Sequence, residues 1–171
     1  MIRLRVPGTL AYRNLALRVV GVACKMVGND ELEPSAEADQ FEAQTVSAVG
    51  EAFNNIAMHA YADMPPGDID IAVTSTAEAV IIEMIDSGKS YDPSEIAAPN
   101  LDEMPESGMG LFIIRSFMDE TSYTPGPPSN VLRLVKERCP AAALPSETDE
   151  ADEAESLGEA FPELKVEGRS T

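Results

Sequence analysis

Positive charge is what this sequence has least of. Twelve Lys and Arg stand against thirty Asp and Glu, giving a formal net charge of −18 and a pI near 4.2. Clustered cations are what hold a phosphate backbone, so the scarcity argues against direct nucleic-acid binding and for neutral or basic partners. Cysteine is as sparse: Cys24 and Cys139 are the only two, far apart in a chain of 171 residues. A chain of that length buries a core without staples, so no disulfide framework is expected and a reducing compartment fits. No apolar run approaches the roughly 18 residues that span a bilayer. The opening MIRLRVPGTL also lacks the apolar stretch and cleavage site of a secretory signal. A membrane is therefore not an expected partner, and the cytoplasm is the expected location. Histidine occurs once, at His59.

What is present divides the chain in two. Nine acidic and two basic residues give 141–171 a net −7, leaving −11 for residues 1–140. The region after Cys139-Pro140 is rich in Ala, Ser, Pro and Glu and has few large apolar residues to offset the entropy of ordering. Residues 139–171 are thus expected to be an acidic, disordered tail on a domain spanning 1–138.

Within that domain, Ile2-Arg3-Leu4-Arg5-Val6 alternates as a half-buried strand does, closed by Pro7-Gly8. Leu15, Val19, Val22 and Met26 recur at helical spacing and predict an amphipathic helix of about five turns with those residues inward. A second helix is expected from about Ala38 to Tyr61, with Phe41, Val49, Phe53 and Ile56 as buried candidates, ended by Met64-Pro65-Pro66-Gly67. Period two then returns at Ile69, Ile71 and Val73 and in the apolar run from Val80 to Ile85, predicting adjacent antiparallel strands. Residues 89–107 form a long Pro- and acid-rich stretch without periodicity, a candidate lid. A short helix over Gly110–Met118 and strands over Glu120–Thr124 and Val131–Val135 follow, with PGPPSN as the turn between the strands. The order β-α-α-β-β-α-β-β describes an α+β two-layer sandwich, a mixed, mostly antiparallel sheet with helices on one face.

Three stretches carry chemistry. In EAFNNIAMHAY, Glu51, Asn55 and His59 are each four residues apart and so share one stripe of the second helix. Carboxylate and amide oxygens one turn apart suit Mg²⁺, although the same pattern also marks a solvated helix face. In IDSGKSYDP, Asp86 ends the most apolar strand and Gly88 follows two residues on. A carboxylate there can accept from a flat heterocycle while the missing Cβ admits the ring, or the segment is an ordinary Asp-x-Gly turn. In ESGMGLFII, Gly108 and Gly110 open a helix, where backbone N–H groups and the helix dipole favour phosphate. The third glycine of a dinucleotide fingerprint and the Gly-Lys-Ser/Thr of a Walker loop are both absent.

Taken in order, the three resemble the N, G1 and G2 boxes of the GHKL ATPases. The likeness is nearest to the serine/threonine kinases that act as anti-sigma factors, with E-x-x-x-N-x-x-x-H-A-Y, D-x-G-x-x-[FY]-D-P and G-x-G-[LF]-x-[IL]-[IM]-x-x-x-M-D. It covers roughly residues 1–138. The resemblance implies an ATP-binding domain in which Glu51 is the catalytic base and Asn55 the Mg²⁺ ligand. It further implies that Asp86 accepts from the adenine amino group, Gly88 floors the pocket, and Gly108 and Gly110 meet the phosphates, with Met109 and Leu111 beside them. It implies as well a homodimer that phosphorylates a serine on an anti-anti-sigma partner of STAS type and holds a sigma factor inactive. Arg13 and Arg18 on the first helix are candidates for partner contact. With His59 inside the first motif, no separate phospho-acceptor histidine is left, which favours a serine or threonine acceptor on another protein, and His59 is expected to pair with neighbours under the helix. The same motifs would also serve a nucleotide-responsive switch that sequesters a partner and transfers nothing.

Overall fold

A computed structural model describes residues 1–28, 36–76, 78–91 and 109–138. The expected tail, Gly108 and all of the expected lid beyond Tyr91 lie outside the described residues. The chain opens with β1 (Ile2–Pro7), in which Val6 is buried and Arg3 and Arg5 face solvent, then a 3₁₀ turn at Leu10–Tyr12. Helix α1 spans Arg13–Gly28 and α2 spans Ala36–Asn55. Glu37 and Asp39 sit in the first turn of α2, where carboxylates complement the positive end of the helix dipole. The helix passes directly into a π-helical turn at Ile56–Ala60. Strands β2 (Asp68–Ser75) and β3 (Ala79–Asp86), helix α3 (Met109–Phe117) and strands β4 (Glu120–Thr124) and β5 (Asn130–Glu137) complete the expected order.

The sheet order is β1-β2-β3-β5-β4, and every neighbouring pair is antiparallel. The expected mixed sheet has no parallel pair for a topological reason. The connection through α3 brings β4 back parallel to β3, but β5 returns from β4 and inserts between the two, antiparallel to both. Alternation puts Ile69, Ile71 and Val73 of β2 and Val80, Ile82 and Met84 of β3 on the buried face, with Ile71 opposite Met84 and Val73 opposite Ile82. Helices cover that face: Val20 of α1, Val49 and Phe53 of α2 and Ile114 of α3 join these strands and Leu134 in one core. Val49, Phe53 and Ile56 are buried as expected and Phe41 is half-buried.

Helix α1 buries a different face from the one its larger residues suggest. Leu15, Val22 and Met26 are 49%, 55% and 66% exposed, whereas Ala16, Val20, Ala23 and Cys24 are buried. The cause is the closeness of α1 to α2. A Cβ on Gly50 would lie 2.7 Å from Arg13 Nη2, and one on Gly21 would lie 2.8 Å from Glu42 Oε1. Helices that approach so nearly need small side chains along the contact, so the alanine stripe turns inward and the bulkier one outward. Burial pushes the Cys24 thiol up to about 11, with the Glu42 charge adding to the effect. Among the described residues no helix is long and apolar enough to cross a membrane.

Candidate functional site

The last turn of α2 and the first turn of α3 face each other. Glu51 and Asn55 are half-buried, and Asn54 Nδ2 donates to Glu51 Oε1 at 3.4 Å. Opposite them lies Gly110: a Cβ there would sit 2.9 Å from Glu51 Oε2 and 3.6 Å from Asn55 Oδ1. The first and third sequence motifs, some fifty positions apart, therefore meet with two oxygen donors against the N-terminal turn of a helix, the end that attracts anions. Leu111 packs on the core, while its neighbour Met109 is exposed.

Asp86, the last residue of β3, is 5% exposed. Its Oδ1 accepts from the Gly88 backbone N–H at 2.8 Å and from Asn130 Nδ2 at 3.0 Å. Asn130, directly opposite Asp86 in the sheet and 2% exposed, also donates from Nδ2 to the Gly88 carbonyl at 3.1 Å. Its Oδ1 accepts from the Gly126 N–H at 3.4 Å. Sequence reasoning missed Asn130 because it closes PGPPSN and read as a turn residue. The signal was there as a polar residue leading into an otherwise apolar strand.

The π-helical turn braces this end of β3. At the end of the helix the Ala60 carbonyl has no intrahelical partner, and it accepts from the Lys89 N–H at 2.8 Å. Gly88 then lies so close that a Cβ would meet the Ala60 oxygen at 2.7 Å and its Cβ at 2.8 Å. Buried Tyr61 adds a second brace, its Oη accepting from the Ser87 N–H at 3.2 Å and donating to the Asp68 carbonyl at 3.1 Å. His59 lies in the same turn. His59 is exposed, and its imidazole makes no hydrogen bond among the described residues, contrary to the expected pairing under the helix.

Beyond Gly88 the chain lays Tyr91 on Tyr123 of β4, ring centroids 4.2 Å apart and planes 25° off parallel. The two rings, Leu111, Ile114, Arg115 and Leu132 help line a cleft of about 120 Å³. Burial holds both tyrosine hydroxyls above their ordinary range. No group of three or more His, Cys, Asp or Glu is placed to hold a metal through protein ligands alone among the described residues. The oxygens of Glu51 and Asn55 at the mouth of α3 suit a hard cation such as Mg²⁺ that takes most of its ligands from water and phosphate.

Comparison with known proteins identifies the domain. The model of the histidine kinase-like ATPase domain matches residues 10–136. The serine/threonine-protein kinase BtrW of Bordetella bronchiseptica is 33% identical over 94 residues, 53% of this chain and 66% of its own length. The anti-sigma F factor of Bacillus subtilis is 32% identical over 119 residues, 67% of this chain and 80% of its own. A crystal structure of RsbU and RsbW domains from Mycobacterium tuberculosis superimposes with a TM-score of 0.54 over 80% of this chain and 32% of the other, at 17% identity, and so speaks for the fold.

Proposed function

The chain belongs to the histidine kinase-like ATPase family, and from that premise we propose that it is a cytoplasmic, ATP-dependent protein serine/threonine kinase that doubles as an anti-sigma factor. Its substrate is a serine on an anti-anti-sigma partner of STAS type, and its second partner is a sigma factor. The observation that carries this reading is the meeting of Glu51, Asn55 and Gly110 at one end of the sandwich, with Asp86 buried and held at the end of β3.

In this reading the residues divide the work. Asp86 accepts from the adenine amino group, and the Gly88 N–H keeps its carboxylate turned that way. The N-terminal turn of α3, with Met109, Gly110 and Leu111 and with Gly108 before them, receives the phosphates through backbone N–H groups. Asn55 would hold Mg²⁺, which would supply charge neutralisation for the transferring phosphoryl group. Glu51 orients the incoming serine hydroxyl and takes its proton as the oxygen bonds to the γ-phosphorus and ADP leaves. The Asn54 amide steadies that carboxylate.

The apolar residues that α1 turns outward, Leu15, Val22 and Met26, supply a surface for a homodimer. Arg18, exposed on the same helix, is a candidate for partner contact, whereas Arg13 lies with its guanidinium against Gly50 of α2. The test is transfer of label from γ-labelled ATP to the cognate anti-anti-sigma protein, beside a binding titration with the sigma factor. Label on a partner serine supports the kinase. ATP binding and partner capture without any transfer would replace it with a sequestering switch.

A further inference from the structure

We propose that Asn130 is the positioning residue that makes the pocket choose a 6-amino purine over a 6-oxo purine. The inference deepens the assignment of Asp86 to the nucleobase and rests on it. The Asn130 amide has two donors and one acceptor oxygen in use, to Asp86 Oδ1, the Gly88 carbonyl and the Gly126 N–H. Its orientation follows from chemistry, because a carboxylate and a carbonyl only accept and must face the NH₂ end. Asp86 Oδ1 thereby receives two donors, from Asn130 and from the Gly88 N–H.

The consequence falls on the other carboxylate oxygen. Asp86 Oδ2 has no partner among the described residues. With Oδ1 pinned by groups on β5 and on the loop after β3, the carboxylate is fixed about its last torsion, and Oδ2 is a single acceptor of fixed direction. A 6-amino group donates to it. A 6-oxo group sets a lone pair against it in a buried place, where an unmatched polar contact is costly. Without Asn130 the carboxylate keeps only the Gly88 bond and can turn to relieve that repulsion, so discrimination falls.

The experiment compares binding of ATP and inosine triphosphate to the wild type and to Asn130→Ala, with a melting curve for each protein. Wild type should prefer ATP by about 10- to 100-fold, the range one mismatched buried hydrogen bond produces. In Asn130→Ala the ratio should fall to within about threefold of unity, because a carboxylate free to turn both accepts less well from the 6-amino group and no longer opposes the 6-oxo group. Asn130→Ser, whose hydroxyl is too short to bridge Asp86 and Gly88, should behave alike and serves if the alanine variant does not fold. A second arm uses Asp86→Asn. With Asn130 and the Gly88 N–H both donating to the retained oxygen, the new NH₂ must occupy the Oδ2 position, so preference should reverse towards inosine triphosphate. Equal losses for both nucleotides in the Asn130 variants, leaving the ratio as in wild type, would make Asn130 merely structural and overturn the proposal. A wild type that binds neither nucleotide would overturn the ATP reading itself, and the proposal with it.

Discussion

Two glycines of the site make opposite predictions when a single methyl group is added. A Cβ on Gly110 would meet Glu51 Oε2 at 2.9 Å, the far end of a flexible side chain, and otherwise nothing nearer than 3.6 Å. The carboxylate can give way, so the fold loses little. Alanine is the better helix former by about 0.5–1 kcal/mol in a helix interior. At the second position of α3 the low end of that range applies, an increase of a degree or two in Tm. Ordinary contact begins near 3.5 Å, so the carboxylate must retreat by about 0.5 Å or more. Misplacement of a reacting group by about 1 Å costs about a hundredfold. Gly110→Ala should therefore keep or raise Tm while slowing phosphoryl transfer about 10- to 100-fold. Gly88→Ala is the contrast. Its Cβ would meet the Ala60 oxygen, Cβ and carbonyl carbon at 2.7, 2.8 and 2.9 Å, mostly backbone that has nowhere to go. Overpacking of that kind costs about 1–3 kcal/mol, a loss of several degrees. Melting curves and single-turnover transfer on both variants decide the matter. Full transfer by Gly110→Ala would show that the position of the Glu51 carboxylate against α3 is irrelevant to the chemistry, and the catalytic assignment would fail.

Three further outcomes are expected. Glu51→Gln should retain ATP binding and lose about 10²- to 10⁴-fold in transfer, the usual cost of removing a general base, while Asn55→Ala should instead weaken Mg²⁺-dependent ATP binding; titrations beside transfer assays separate the two. Truncation after Pro140 should leave ATP binding and cooperative unfolding unchanged, as the low apolar content of 141–171 implies, and a loss of either by the shortened chain would refute it. Cys24, with its thiol raised from 9.0 to about 11, has no effect on stability below pH 9, where the thiol is protonated in both folded and unfolded chains. Between those values the unfolded chain releases the proton and the folded one keeps it. Stability is therefore lost as pH rises, by at most about 2–3 kcal/mol. The urea midpoint of wild type should fall more steeply than that of Cys24→Ala from pH 9 to 11, and parallel curves would count against it.

The parts of the fold that could be read from sequence are those in which one residue type leaves one structural option. Asp86 ends a strand whose alternation fixes it on the buried face, and Gly110 opens a helix beside Glu51 and Asn55, as the order of the first and third motifs suggests. Helix α1 misled because hydrophobicity was weighed by size. Periodicity identifies an apolar stripe, but the spacing to α2 decides which of two stripes is buried, and Ala16 and Ala23 outcompete Leu15 and Val22 for a narrow gap. The π-helical turn was invisible for a different reason. No residue of Ile56–Ala60 demands it, and what it satisfies, the Lys89 N–H, lies 29 positions beyond Ala60. Asn130 escaped because its partner Asp86 is 44 residues away and meets it only through the register of β3 and β5.

These distances also divide the site into two ends that should respond differently to mutation. The end around Asp86 is held by bonds between remote segments: Asn130 from β5, Ala60 and Tyr61 from the π turn and the residue after it, and Asp68 from β2. All of them form when the domain forms, so the direction of Asp86 is set before any nucleotide arrives and need not be purchased from binding energy. The end around Glu51 and Asn55 is made of half-buried side chains, of which Glu51 receives a weak 3.4 Å bond from Asn54. Its groups can shift without unfolding anything. Damage at Asp86, Gly88 or Asn130 should thus appear in stability and nucleotide affinity together, whereas damage at Glu51 or Gly110 should leave stability unchanged and appear chiefly in rate. A Gly110→Ala variant that lost stability in step with activity would contradict that division, even if its rate fell by the amount expected.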